Sequence, residues 1–179
     1  MTGVGSVYGE ALYSLAQEEN LTEVILQQLT ALDQAFSQDP DFIRLLGSPT
    51  LSKAERCGIL DDSFRGKLEP YLLNFMKILT EKGYMGHFSQ CCKEYRLRYQ
   101  TEHNILSVQA VTAIPLSGEQ IGKLTAKLQQ LTGKTIDLHN RVDPSVLGGV
   151  RLDYDGKRLE DTLAHRMDAI RELLRSNVL

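Results

Sequence analysis

Apolar residues recur every three or four positions through the first hundred residues, the spacing that lines up side chains on one side of a helix. The first such stripe comprises Val4, Val7, Tyr8, Ala11, Leu12, Leu15 and Ala16, and the last comprises Phe88, Cys91, Cys92 and Tyr95. Start and stop signals separate the stretches: Asn20 as an N-cap, Asp39-Pro40, a capping box from Ser52 to Glu55, and a stop at Gly83. Short connections between successive helices then predict an antiparallel bundle of about six helices over residues 1–104.

The period changes to two at Leu106, where apolar and polar residues alternate as in a strand. A second capping box, Ser117 with Gln120, predicts a helix that ends at Gly133. The apolar stripe of that helix, which we expect to be buried, comprises Ile121, Leu124, Leu128 and Leu131.

A second alternating run, residues 135–142, predicts another strand, and Asp155-Gly156 is a strong signal for a tight hairpin turn. A charged amphipathic stretch closes the chain, with apolar positions at Leu163, Met167, Ile170 and Leu174. Residues 105–179 are therefore predicted to form a small β-α-β-β-α domain, and the whole chain an α+β protein of two domains.

The overall charge does not indicate a nucleic-acid binder, because 20 Lys and Arg residues face 23 Asp and Glu residues, for a net charge of −3. Three cysteines, Cys57, Cys91 and Cys92, show no zinc or redox spacing and indicate reduced thiols in the cytosol. The first residues lack a basic region followed by an apolar core, so we expect no secretory signal, and no apolar run approaches the ~20 residues that span a bilayer. We therefore expect membrane association only through partners, with no direct insertion.

Candidate chemistry is sparse. Gly133-Lys134-Thr135 resembles the end of a phosphate-binding loop, but the position that needs the first glycine holds Leu128 and a strand follows where a helix is required. The four histidines are scattered, and none pairs with another histidine or a cysteine at metal-ligand spacing. We predict no catalytic residue, no cofactor and no metal site.

Four segments carry a resemblance to a known family. They are residues 8–16 (YGEALYSLA), residues 46–52 (LGSPTLS) with Glu55, residues 74–83 (NFMKILTEKG), and residues 142–150 (VDPSVLGGV) followed by Asp155-Gly156-Lys157 and Arg166. Along nearly its full length the chain resembles the delta subunit of bacterial F-type ATP synthase, the counterpart of the mitochondrial oligomycin-sensitivity-conferring protein. Gly9 departs from the family pattern, and a helical glycine costs about 1 kcal/mol against alanine.

The resemblance implies a non-catalytic stator subunit at the cytoplasmic face of the cell membrane, held there through the ATP synthase complex. It implies that the helical domain binds N-terminal segments of the alpha subunits and that the C-terminal domain binds the b subunits of the peripheral stalk. Carried onto this sequence, the surface for an alpha-subunit helix comprises Tyr8, Ala11, Leu12, Leu15, Phe75, Ile78 and Leu79. The stalk surface comprises Val146, Leu147, Leu163 and Met167.

Two alternatives stay open at this level. Every residue of the alpha-subunit surface can equally serve the core; core packing is favoured for Leu15 and Leu79, and a binding groove for Tyr8 and Ala11. The second alternative is a small nucleic-acid-binding module that uses the C-terminal β-α-β-β-α unit. The absence of a basic cluster and of an exposed aromatic pair on a strand speaks against that module.

Overall fold

The structure, a computed structural model, describes residues 3–48, 50–146, 148–154 and 156–162. It is a mixed α+β structure with seven α-helices and one four-stranded sheet among these residues. The chain divides into two compact units, residues 1–99 and 100–179, slightly before the predicted boundary at 104/105.

The first unit is helical. Its helices are α1 (Val4–Glu18), α2 (Thr22–Gln38), α3 (Pro40–Leu46), α4 (Lys53–Phe64), α5 (Pro70–Lys82) and α6 (Phe88–Glu102), with a 3-10 turn at Met85–His87 before α6. The predicted signals at three of their ends are confirmed. Asp39 accepts a hydrogen bond from the Asp41 amide at the start of α3, the Ser52–Glu55 capping box opens α4, and Gly83 ends α5 in the left-handed conformation.

The predicted role of Asn20 is wrong. Its φ is +58°, so it forms the left-handed turn that follows α1, a conformation that asparagine tolerates better than most residues. Leu21 occupies the N-cap of α2 and makes no side-chain capping bond.

The buried face of α1 also differs from the apolar stripe read from the sequence. Its buried residues are Gly5, Gly9, Leu12, Tyr13 and Ala16. Val7, which the stripe includes, is 53% exposed. Two glycines therefore take the place of side chains on the face that packs, because α1 approaches α6 closely there: a Cβ on Gly9 would meet the backbone of Cys91.

Aromatic and aliphatic side chains from these helices form one continuous core. Phe36 stacks on Phe42 and meets the edge of Phe88, with ring centroids 5.4 and 5.2 Å away. Tyr95 is fully buried, and its hydroxyl donates to the carbonyl of Thr22 at 2.9 Å, which joins α6 to the start of α2. A buried hydroxyl with a partner avoids the cost of an unsatisfied polar group.

The second unit is built on a sheet of order β2-β1-β3-β4. Its strands are β1 (Ile105–Thr112), β2 (Thr135–Val142), β3 (Gly149–Tyr154) and β4 (Lys157–Thr162). Strands β1 and β2 are parallel, and α7 (Gly118–Thr132) provides the crossover that parallel strands need. Strands β1 and β3 pair antiparallel, as do β3 and β4.

The predicted hairpin is confirmed, since Tyr154 pairs with Lys157 across a two-residue loop whose Gly156 has φ +71°. The capping box at Ser117 and the stop at Gly133 are confirmed as well. The predicted burial of the α7 stripe holds only in part: Ile121, Leu124 and Leu128 are half-buried, whereas Leu131 is 71% exposed. Of the stripe, Leu128 packs against the small core of Leu106, Val108 and Ile136. The predicted last helix lies outside the described residues.

Candidate functional site

An apolar groove lies between α1 and α5 of the helical unit. Its volume is about 360 Å³, and its lining consists of four residues from each helix: Tyr8, Ala11, Leu12, Leu15, Tyr71, Asn74, Phe75 and Ile78. Each set follows the i, i+3, i+4, i+7 pattern, from Tyr8 in α1 and from Tyr71 in α5, so each set forms one stripe. The groove is thus the line where two apolar stripes of different helices face each other.

Residues of the lining differ in depth. Leu12 and Phe75 are 3% and 7% exposed and belong to the core, so they form the floor. Ile78 is 46% exposed and Ala11 is exposed as well, so they form the rim. The small Ala11 side chain leaves space that a larger residue would fill.

Contacts at the two ends of the groove show the relative direction of α1 and α5. At one end the ring of Tyr8 meets that of Tyr84, just after α5, with centroids 5.9 Å apart. At the other end Tyr71, in the first turn of α5, lies beside Glu19, just after α1. Helices α1 and α5 therefore run in opposite directions along the groove. The negative charge of Glu19 is the main cause that raises the pKa of Tyr71, with burial, the Glu19 hydrogen bond and the charge of Glu69 adding to it.

The lining contains six of the seven residues expected for an alpha-subunit surface, all except Leu79. Leu79 is fully buried in the core of the helical unit, which is a correction to that set. Leu15 is half-buried and lines the groove, although core packing was favoured for it. Tyr71 and Asn74 were not predicted; the spacing of Tyr71, Phe75 and Ile78 would have indicated Tyr71.

Nothing in this lining suggests bond-making chemistry. It holds two phenol groups and one amide among aliphatic and aromatic side chains, with no carboxylate, imidazole or thiol. An elongated apolar groove bordered by exposed side chains suits the apolar face of an amphipathic helix, which anchors through residues spaced as in the groove itself.

The expected stalk surface is described only at Val146, since Leu147, Leu163 and Met167 lie outside the described residues. Val146 ends a 3-10 turn, Pro144–Val146, and is 5% exposed. Asp143 shapes this turn: its carboxylate accepts from the amide and hydroxyl of Ser145 at 3.0 and 2.6 Å. These two bonds, the hydroxyl first, lower the pKa of Asp143.

The sheet face opposite the small core is polar. Strand pairing places Ser107, Gln109, Asp137, His139 and Asp153 together on it. Asp153 accepts from Arg158 at 2.9 Å and from Arg151 at 3.3 Å, and these arginines, Arg158 first, lower the pKa of Asp153. Acids and bases are interleaved there, so this face lacks the basic stripe of a nucleic-acid interface.

The part of the chain that the structure describes contains no group of three or more histidine, cysteine, aspartate or glutamate residues placed to hold a metal ion. None of its helices is long and apolar enough to cross a membrane.

Comparisons with known proteins agree with one another. The family model of the ATP synthase delta (OSCP) subunit matches residues 4–174. The chain is 30% identical over 171 residues to the ATP synthase subunit delta of Alkaliphilus metalliredigens, with 96% of this chain and 95% of that protein covered. It is 29% identical over 172 residues to the ATP synthase subunit delta of Clostridioides difficile, with coverages of 96% and 95%.

A solved structure shares the fold. A chain in the cryo-EM structure of the Toxoplasma gondii mitochondrial ATP synthase hexamer superposes with a TM-score of 0.74 at 22% identity. The match covers 96% of this chain and 97% of that chain.

Proposed function

This chain belongs to the ATP synthase delta (OSCP) subunit family, and we propose that it links the alpha subunits of the catalytic head to the b subunits of the peripheral stalk. It is a stator component of an F-type ATP synthase. In this role it resists the torque of the rotor during proton-driven ATP synthesis and has no active site of its own. The nucleic-acid alternative has no support from the comparisons or from the mixed charge of the sheet.

The groove between α1 and α5 carries the proposal for the head. An N-terminal segment of an alpha subunit binds there as an amphipathic helix, with its apolar side chains against Leu12 and Phe75. The lining is almost entirely apolar, and its rim includes the exposed Ile78. Burial of such surface stabilises a complex by roughly 25 cal/mol per Å² before the costs of association are subtracted.

The six helices form an antiparallel bundle that docks on the head, and residues 105–179 dock on the stalk through the region of Val146 and through Leu147, Leu163 and Met167. The subunit is held at the cytoplasmic face of the membrane by the rest of the complex.

Isothermal titration calorimetry tests the groove with the full chain and a peptide that covers the N-terminal amphipathic segment of the alpha subunit of the same organism. Ile78→Arg places a charge on the rim where apolar side chains of the peptide are expected. We expect the affinity of the Ile78→Arg variant for the peptide to fall at least about tenfold, because an unpaired charge is costly at an apolar contact.

Val24→Arg is the matched control, because Val24 lies on α2 and is 43% exposed against 46% for Ile78. It should leave the peptide affinity unchanged, and urea titration should show both variants folded. Equal affinities of the wild type and Ile78→Arg would overturn the assignment of the groove.

A further inference from the structure

At one end of the groove, acidic residues continue the two lines of apolar residues that form its lining. Glu18 and Glu19 follow Leu15 by three and four residues, the spacing that keeps side chains on one helix face. Glu69 precedes α5 at the same end, and both Glu19 and Glu69 lie near the hydroxyl of Tyr71. Three carboxylates therefore surround the point at which the apolar lining ends.

A lysine lies at the opposite end of the groove. Lys82 follows Ile78 by four residues, in the last turn of α5, and is exposed. The first turn of α1 contains no acidic residue, and its exposed side chains include Val7. Glu81, three residues after Ile78, lies toward α4, where its carboxylate accepts from the thiol of Cys57 at 3.9 Å. The charges beside the groove are thus negative near Tyr71, and Lys82 is the cation beyond Ile78.

Among the residues that the structure describes, no ion pair neutralises these charges. Within the described residues Glu18, Glu19, Glu69 and Lys82 form no ion pair, whereas other charges of the same helices do: Glu10 binds Arg98 at 2.8 Å and Lys77 binds Asp61 at 2.7 Å. Unpaired charges at both ends of an apolar groove are available to a partner of complementary charge.

We infer that the groove accepts its helix in one orientation, with the basic end of the helix over Glu18, Glu19 and Glu69 and its acidic end over Lys82. The inference rests on the proposed function, and it adds the chemistry of the partner. Tyr8 and Leu15 are seven residues apart, about 10 Å along α1. The partner is therefore an amphipathic helix with an apolar stripe of about two turns, with a lysine or arginine beyond one end and a carboxylate beyond the other.

Two synthetic peptides test this with the full chain, by fluorescence anisotropy. Each is a capped amphipathic helix about 18 residues long, five turns, with one leucine stripe. The charged peptide has a lysine pair beyond one end of the stripe and a glutamate pair beyond the other; the reference peptide has glutamine at all four positions. Glu19→Gln is compared with Asp62→Asn, which removes the same charge from an exposed position on α4.

We expect Glu19→Gln to weaken the charged peptide about threefold and to leave the reference peptide unchanged, since an exposed ion pair contributes modestly. Asp62→Asn should change neither affinity. Glu19→Lys should weaken the charged peptide further, and raised salt should reduce each difference because it screens the charges.

Equal affinities of the two peptides, together with no effect of Glu19→Gln, would overturn the orientation while the groove assignment stands. If neither peptide binds and Ile78→Arg also leaves the alpha-subunit peptide unaffected, the groove assignment falls and the orientation with it.

Discussion

The carbonyl oxygen of Cys91 occupies the space next to Gly9 that a side chain would need. A Cβ atom on Gly9 would lie 2.6 Å from that oxygen and 3.2 Å from the Cα of Cys91. Backbone atoms of α6 cannot move aside as a flexible side chain can. Gly9 therefore permits the close approach of α1 and α6, and its lower helix propensity is the consequence of a packing requirement.

Gly9→Ala should consequently destabilise the protein, although alanine favours a helix by about 1 kcal/mol over glycine. Overpacking against backbone costs typically about 1–3 kcal/mol, so after the gain from alanine we expect a net loss of up to about 2 kcal/mol in the free energy of unfolding, measured in urea. Gly58→Ala on α4 is the matched control, because a Cβ there has no atom within 4 Å. That change should stabilise the protein; stabilisation by both changes would contradict the packing argument.

The buried thiols of α6 predict a loss of stability in alkali. Burial raises the pKa of Cys91 to about 11 and raises that of Cys92 as well. In the unfolded chain both thiols lose their protons near pH 8.5, roughly their ordinary pKa, while the folded protein keeps them. The folded state then binds more protons, so its stability is fully present below about pH 8.5 and falls as the pH rises toward 11.

Urea titrations across this pH range measure how the free energy of unfolding changes with pH. Each thiol steepens that slope by up to about 1.4 kcal/mol per pH unit. The double variant Cys91→Ala with Cys92→Ala should show a flatter dependence on pH even if it is less stable at pH 7. An unchanged slope would show that the thiols do not titrate as their burial requires.

Asn140 holds the segment that follows β1. Its amide group donates to the carbonyl of Ala110 and to the hydroxyl of Thr112, both at 2.9 Å, and its carbonyl accepts from the amide of Leu116 at 3.0 Å. Asn140→Ala removes all three bonds, and we expect a loss of about 1–3 kcal/mol in stability. Hydrogen exchange of the Leu116 amide should accelerate. His139→Ala, at an exposed neighbouring position on the opposite sheet face, should change neither quantity.

Leu79 and Leu15 should respond differently to truncation. Leu79 is fully buried, so Leu79→Ala should cost about 2–5 kcal/mol of stability. Leu15 is half-buried in the groove, so Leu15→Ala should cost less stability and should weaken the alpha-subunit peptide instead. Urea titration and calorimetry of both variants separate the two effects. Equal loss of peptide affinity in folded Leu15→Ala and Leu79→Ala would contradict the separation.

Much of the local structure was predictable because its causes are local. The capping boxes at Ser52 and Ser117 and the left-handed stops at Gly83 and Gly133 act within one helical turn, and each is confirmed. The hairpin across Gly156 was predictable for the same reason. Asn20 shows the limit: the residue suits both an N-cap and a left-handed turn, and the path of the chain from α1 to α2 selects the turn.

The resemblance to the family predicts most residues of the groove lining. It does not predict where the groove ends and the core begins. An apolar stripe on one helix does not say whether a residue meets a neighbouring helix or open space. Leu15 and Leu79 look alike in sequence, yet one lines the groove and the other is enclosed. Leu131 fits its stripe equally well and is exposed.

By itself the sequence determined where the helical period gives way to the strand period, most helix and strand ends, the hairpin and the family. These features depend on propensities and motifs within short stretches of the chain. The tertiary structure alone decided which face of α1 is buried, why Gly9 stands there, and that Glu19 and Lys82 lie at opposite ends of one groove. The physical reason is that burial and electrostatic environment are set by residues far apart in the chain, whose proximity arises only when α1, α5 and α6 pack together.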